Sequence, residues 1–340
     1  MNRRISTLLV ALAPIVAFGV LLAAVTVPYV SLGPGPTFDT LGKVEGKEVV
    51  DIKGADVHPT KGHLNMTTVS QRDNLTLGQA LTLWMSGREQ LVPRDLVYPP
   101  DKTKDEIDEG NAQEFKRSED SAEYAALGYL KYAPAVTVET VSKDGASTGK
   151  LKEGDAIDAV NGTPVSNLEQ FQALLAKTKP GDEVILDFRR KNAPPAIATI
   201  KLGSAPDKEQ GVLGIGVVEA PWAPFTIDFN LANIGGPSAG LVFSLAVIDK
   251  LTTGDLSGDR VVAGTGTIDA DGKVGSIGGI THKILAAHEA GASVFLVPAD
   301  NCEEAKSAHE DGMDLVKVEN LEGAVDALKA LSGGGEAPHC

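Results

Sequence analysis

Basic residues are in short supply in this 340-residue chain. Lysine and arginine number 31 against 46 aspartates and glutamates, leaving a net charge of -15. So acidic a surface argues against nucleic acid as a partner, since binding phosphates needs a basic stripe. Cysteine is nearly absent. Cys302 and Cys340 lack metal-site spacing, Cys340 closes a Gly-rich tail, and both read as structurally incidental, with their pairing left open. Histidine is scarce too. There are six, none in a His-Glu-x-x-His or similar spacing, so no metal centre is expected. No G-x-x-x-x-G-K-S/T loop occurs, which argues against ATP hydrolysis, and no cofactor is expected. Repeats at solenoid periods are also missing.

What remains is an ordinary globular composition, 42% hydrophobic and 23% charged, over a length that fits two domains with accessory segments. The N-terminus is the exception. Arg3 and Arg4 precede an uncharged apolar run from about Leu8 to Val30. That run is about the length needed to cross ~30 Å of hydrocarbon, and basic residues stay on the cytoplasmic side. The expectation is a retained signal anchor over residues 1–30: one transmembrane helix, kinked at Pro14. The C-terminal domains would then be extracytoplasmic, on a single-pass protein of the cell membrane. The rival reading is a cleaved signal peptide, whose apolar core is usually shorter.

Residues 31–133 form an N-terminal segment. Strands are expected over Glu48–Asp56 and His63–Val69, and a helix over Leu75–Met85 with Asn74 as N-cap. The charge-dense stretch Pro99–Asp120 reads as an exposed loop running into a helix, Ala112–Leu130. A second unit, residues 134–205, starts with the strand VTVETV. Asn161-Gly162 marks a turn, Asn167–Lys177 an amphipathic helix, and EVILDFRR and AIATIKL two further strands. The third unit, residues 206–332, alternates strands and helices and reads as α/β, ahead of a flexible tail at 333–340.

Chemistry gathers in the third unit. Ser238 lies in IGGPSAG (Ile234–Gly240), and Lys283 follows it by 45 residues in GGITHKILAAHEAG. Gly236 permits close backbone approach, Pro237 suits a helix start, and the N–H groups around Ser238 and Ala239 suit an oxyanion. A serine hydroxyl needs a base, and a lysine serves only when neutral, which burial promotes. Each residue alone has a blander reading: Ser238 as a helix N-cap, Lys283 as a solvated surface charge. His282 is a rival base. Asp228 either pairs near the site or faces solvent, and Gly278-Gly279 serves a tight turn.

Two resemblances follow from these residues. The stretch PAVTVETVSKDGASTGKLKEGDAIDAVNGTPVSNLEQFQALL resembles a PDZ domain of bacterial envelope proteases, which implies peptide binding at a sheet edge beside the helix. GGPSAG with GTGTI and GKVGSIGGITHKILAAHEAGA resembles the catalytic domain of the Lon peptidases. That likeness implies Ser238 as nucleophile, Lys283 as base and Thr265 as the lysine's support. Lon peptidases usually carry an ATPase motor, and none is present here. The combination is similar to membrane-anchored PDZ-containing Lon-like proteins of Gram-positive bacteria and actinobacteria. It implies an α/β (α+β) Lon-type proteolytic domain with the PDZ unit inserted in it, and homo-oligomerisation as in Lon rings. The implied function is an ATP-independent serine endopeptidase acting on peptides or protein C-termini held in the PDZ groove. Competing classes are a tethered PDZ peptide-binding adaptor with a quiescent peptidase fold, and a small-molecule amidase or esterase using the same dyad.

Overall fold

A helix, α1 (Arg3–Ala24), opens the chain, and the place where it ends corrects the first expectation. The apolar run continues to Val30, but the helix does not. Thr26 bridges Thr76, the Val27 N–H donates to the Leu75 carbonyl at 2.9 Å, and Tyr29 begins strand β1 (Tyr29–Asp39). The end of the run is therefore built into the folded unit. The part of the apolar run that is helical, Leu8–Ala24, rises only about 25 Å, short of the ~30 Å of a hydrocarbon core. Among the described residues no helix is long and apolar enough to cross a membrane. The expected transmembrane helix, and with it the single-pass cell-membrane placement, is not supported.

The structure, a computed structural model, describes residues 3–340 apart from 207, 233, 254, 309 and 310, and leaves aside the side chains of 3–9 and 208. Met1 and Asn2 of the expected anchor, and those five positions of the expected catalytic unit, lie outside the described residues.

After β1 come β2 (Val50–Lys53), β3 (His63–Arg72), α2 (Leu77–Ser86), β4 (Gln90–Pro93) and α3 (Lys104–Tyr129). Two of these starts differ from expectation for one reason. Thr76 caps α2 and Thr103 caps α3, each in a reciprocal capping box with Gln79 and Glu106. Such a cap is worth roughly 0.5–2 kcal/mol, enough to fix where a helix begins. Asn74 instead takes a left-handed conformation (φ 56°). The charged stretch before Ala112 is helix rather than loop.

The next elements form a unit with its own core. They are β5 (Pro134–Val141), β6 (Ala156–Val160), α4 (Leu168–Leu175), β7 (Glu183–Arg189), β8 (Ala196–Lys201) and β9 (Ile215–Pro221). Their antiparallel sheet runs β8–β7–β6–β5–β9, so β9 is an edge strand. Val138, Ile157, Phe171, Leu186 and Ile200 fill the core beneath it. The buried Asp155 carboxylate is held bidentately by Arg190 at 2.7 Å, which satisfies a charge that burial alone would make costly.

The chain then returns to the first unit. Strand β10 (Thr226–Phe229) pairs antiparallel with β2. It is followed by α5 (Gly240–Leu251), β11 (Val261–Gly264), β12 (Thr267–Ile268), β13 (Val274–Gly275), α6 (Ile280–Glu289), β14 (Val294–Pro298), α7 (Cys302–Lys306), β15 (Asp314–Val318) and α8 (Leu321–Ser332). One six-stranded sheet runs β15–β14–β11–β3–β1–β4. Its β15, β14, β11 and β3 pair in parallel, while β1 and β4 are antiparallel additions. Strand β3, from early in the chain, thus sits beside β11, with Val261 paired to His63 across 198 residues of sequence. Helix α5 is buried from Gly240 to Lys250, between this sheet and α3, and is apolar throughout apart from Ser244, Asp249 and Lys250.

Cys302 and Cys340 form a disulfide. The reading of both as incidental is corrected by the path of the tail. His339 bridges Val316, the Lys317 N–H donates to the Pro338 carbonyl at 2.8 Å, and the Cys340 N–H donates to Leu315 at 3.0 Å. The tail lies along β15, and this brings the last residue to the start of α7.

Candidate active site

Ser238 and Lys283 meet through two helix starts. The chain from Ile234 to Ala239 leads into α5, with Gly236 in a left-handed conformation (φ 86°) that a side chain would strain. Ala239, not Ser238, is the N-cap of α5, and among the described residues no side chain caps that helix. Pro237 lies ahead of the first turn rather than within it. The Ser238 hydroxyl is therefore not engaged as a cap and stands against the lysine. On the other side, Gly279 takes a left-handed conformation (φ 69°) as N-cap of α6, and Lys283 follows on the first turn.

The Nζ of Lys283 lies 2.7 Å from Oγ of Ser238 and 2.9 Å from Oγ1 of Thr265. Thr265 in turn donates to the Ser238 carbonyl at 3.2 Å, and the Gly266 N–H donates to the same oxygen at 3.0 Å. Because the threonine proton is given to that carbonyl, Thr265 meets the lysine as an acceptor. Lys283 is 3% exposed and Thr265 is fully buried, whereas Ser238 is half-buried. Burial pushes the lysine amine down to about 8, and among the described residues it has no carboxylate partner to oppose that effect. The N–H groups of Ser238 and Ala239 have no acceptor among the described residues.

These groups face a cleft of about 690 Å³. Phe38, Met66, Phe115 and Ile234 supply apolar lining, and Ser276–Gly278 form part of the rim. Strand β3 contributes an edge. It pairs with β1 as far as Arg72, but with β11 only from His63 to Met66. Thr67, Thr68 and Val69 continue past that pairing and line the cleft.

The other sequence candidates lie elsewhere. His282 lines a separate hollow with Trp84 and Leu285, and its buried Nε2 has no partner among the described residues. Burial lowers the pKa of that ring. Asp228 pairs with Lys53 at 2.8 Å across β10 and β2. Sequence reasoning missed Asn301, whose side chain grips both the N–H and the carbonyl of Ile277 at 2.9 Å and so fixes the cleft rim. It also missed Asn111 and Ser118 on α3. The Asn111 carbonyl accepts from the Gly236 N–H at 2.9 Å, and the Ser118 hydroxyl donates to the Pro237 carbonyl at 3.0 Å. A signal for Ser118 existed: Phe115, Ser118, Ala122 and Ala126 recur at helical spacing, but a serine in so charged a run does not read as core.

Comparison with known proteins fits this geometry. Residues 233–331 match the Lon protease (S16) C-terminal proteolytic domain, and residues 108–200 match the PDZ domain family. The Lon protease of Clostridioides difficile is 36% identical over 101 residues, which are 29% of this chain and 13% of that protein. Lon protease 1 of Thermus thermophilus is 35% identical over 96 residues, 28% of this chain and 12% of that protein. The chain thus spans only a small part of the length of the curated relatives it matches. Among solved structures, the PDZ domain of an SdrC-like protein from Listeria monocytogenes is 26% identical, covering 25% of this chain and 87% of that one, with a TM-score of 0.24. Its Listeria innocua counterpart is 32% identical, covering 25% and 92%, with a TM-score of 0.22. By the two family matches, this chain carries a serine-peptidase domain of the Lon type together with a PDZ domain.

Proposed function

We propose that this protein is an ATP-independent serine endopeptidase in which Ser238 is the nucleophile and Lys283 its general base. One observation carries the reading: an amine and a hydroxyl 2.7 Å apart, with the amine enclosed and without a counter-ion among the described residues. A neutral lysine has one lone pair. Thr265 accepts one of its N–H bonds, which turns that lone pair toward Ser238. As Oγ attacks the scissile carbonyl, its proton passes to Nζ. The ammonium then gives a proton to the departing amine, and the same amine activates the water that hydrolyses the acyl-enzyme. The N–H groups at Ser238 and Ala239, unengaged among the described residues, support the tetrahedral oxyanion, a contribution of about 2.7–4 kcal/mol per donor.

The substrate is an extended peptide. Past Met66 the edge of β3 runs along the cleft, and an added strand would hydrogen-bond there while placing side chains against the apolar lining. A strand edge favours a peptide over the small ester or amide of the competing reading. The PDZ unit, taken to run through β9, would dock peptide segments or C-termini along that edge strand beside α4. Strand β9 leads through β10 into the serine loop, which supports an inserted PDZ unit whose occupancy bears on the site. A fragment from Gly211 to Leu331 that folds and cleaves fully would refute the insertion, since it lacks β1 and β3.

The test of the dyad is cleavage of casein without ATP. Ser238→Ala and Lys283→Ala each abolish cleavage with circular dichroism unchanged, and a fluorophosphonate probe labels the wild type but not Ser238→Ala. Full activity in Lys283→Ala ends the proposal. Peptide binding without labelling or cleavage leaves the adaptor reading in its place.

A further inference from the structure

The serine loop is held from behind by α3. At one point the Asn111 carbonyl accepts from the Gly236 N–H. At the next, the Ser118 hydroxyl donates to the Pro237 carbonyl at 3.0 Å, from a side chain that is 5% exposed. Ser118 is the one donor to that carbonyl among the described residues. The peptide it holds joins Pro237 to Ser238, so its N–H belongs to the nucleophile itself.

In a trans peptide the C=O and N–H lie in one plane and point in opposite directions. Anchoring the Pro237 oxygen against α3 therefore turns the Ser238 N–H away from α3, toward the cleft. Proline restricts φ but leaves two wells for ψ, which differ by a near reversal of the carbonyl direction. The reversed peptide would aim an oxygen, not an N–H, at the developing oxyanion. The loop itself offers little resistance to such a change, because Gly235 and Gly236 precede the proline.

We propose that Ser118 is a positioning residue for catalysis: its hydroxyl selects the orientation of the Pro237–Ser238 peptide that presents the Ser238 N–H as an oxyanion donor. This rests on the reading of Ser238 as nucleophile. It assigns a role in the reaction to a helix that lies outside the stretch matched to the Lon proteolytic domain.

The test uses the full chain and a fluorogenic peptide, with Ser118→Ala, Ser118→Thr and Ser238→Ala compared. Losing a donor outright costs about 100- to 1000-fold in kcat, so misaiming one is expected to cost roughly 10- to 100-fold. In Ser118→Ala, kcat falls by that factor while KM stays within about twofold. The pH midpoint of kcat is unchanged, because Lys283 is untouched. Affinity for a peptide boronic acid, whose adduct on Ser238 is tetrahedral and anionic, falls in parallel with kcat. Ser118→Thr, which retains the hydroxyl, recovers most of the rate. Wild-type kcat in Ser118→Ala, a loss confined to KM, or a moved pH midpoint overturns the proposal. So does a Ser118→Thr enzyme as slow as Ser118→Ala when both are folded by circular dichroism. Cleavage by Ser238→Ala would instead sink the dyad itself, so the two failures are distinct.

Discussion

Thr265 Oγ1 stands 2.9 Å from the Lys283 amine and 3.2 Å from the Ser238 carbonyl, so a single buried hydroxyl is bonded to both partners. Its removal leaves the lysine with one direction of contact fewer and the serine backbone with one donor fewer. Thr265→Val keeps the shape and deletes the hydroxyl. A hydrogen bond of this kind contributes about 0.5–1.5 kcal/mol, which corresponds to roughly a tenfold fall in kcat at the upper end. Thr265→Ser should stay within about twofold of wild type. Steady-state kinetics on one peptide, with thermal melts to exclude unfolding, checks both.

The pH dependence has a definite sign. The Lys283 amine is pushed down to about 8 by burial, and only its neutral form serves as base. Cleavage should therefore rise with pH along a limb whose midpoint lies near 8, in a kcat profile measured from pH 6 to 10. Stability moves the same way. Unfolded, the amine titrates near 10.5; folded, near 8. Between those values the unfolded chain binds more protons, so stability rises with pH across that window. Below it both states are charged, and burial of the ammonium is a standing cost of about 3 kcal/mol. Lys283→Met, which removes the charge and keeps the bulk, should abolish cleavage yet raise stability by roughly 1–3 kcal/mol at pH 7, measured by urea unfolding. A destabilised Lys283→Met would mean that the amine's two hydrogen bonds outweigh its desolvation.

Where the sequence was legible, the signal was local. The motif around Ser238 and the glycines before Lys283 point to backbone conformations a short stretch can specify, and the structure brings both side chains to one place. The PDZ unit declares itself through Asn161-Gly162 and the Asn167 cap, each a local device. The misses were tertiary. Nothing in the run Leu8–Val30 marks Ala24 as the last helical residue; the bridge to Thr76 does that. The start of α3 was legible in the Thr103–Glu106 capping box, but the density of charge concealed it. Asn301 and Ser118 act on backbone far away in sequence, and residues of these types give no such sign on their own.

Gly279 tests how tightly the lysine is placed. Its φ of 69° is a region L-residues avoid, and a Cβ there would stand 2.9 Å from a methyl of Val69 on β3. Gly279→Ala should cost about 1–2 kcal/mol for the conformation, and it also displaces α6 from β3. Because the Lys283 N–H bonds to the Gly279 carbonyl at 3.2 Å, that displacement reaches the amine directly. Cleavage should fall several-fold beyond what the stability loss explains. Gly279→Asn, which tolerates the left-handed conformation but still adds a Cβ, should recover stability more than activity. Equal recovery of both would assign the effect to backbone strain rather than to the contact with Val69.

The disulfide between Cys302 and Cys340 closes a loop of 38 residues by sequence separation, for which chain entropy assigns about 2–4 kcal/mol. Its position gives it a second aspect. Cys302 follows Asn301, whose side chain holds Ile277 at the cleft rim. Release of the tail leaves that grip intact, however, because Ala305 in α7 stays fully buried against the core that Phe295 and Ile284 complete. The double variant Cys302→Ser with Cys340→Ser should therefore unfold at lower temperature, in keeping with the lost cross-link, while kcat/KM well below its melting temperature stays within about twofold of wild type. Wild-type protein treated with dithiothreitol should behave as the variant does. A drop in kcat/KM that precedes any loss of circular dichroism would show that the tail steadies the rim through Asn301, and would move the disulfide from a stabilising role into the support of the site.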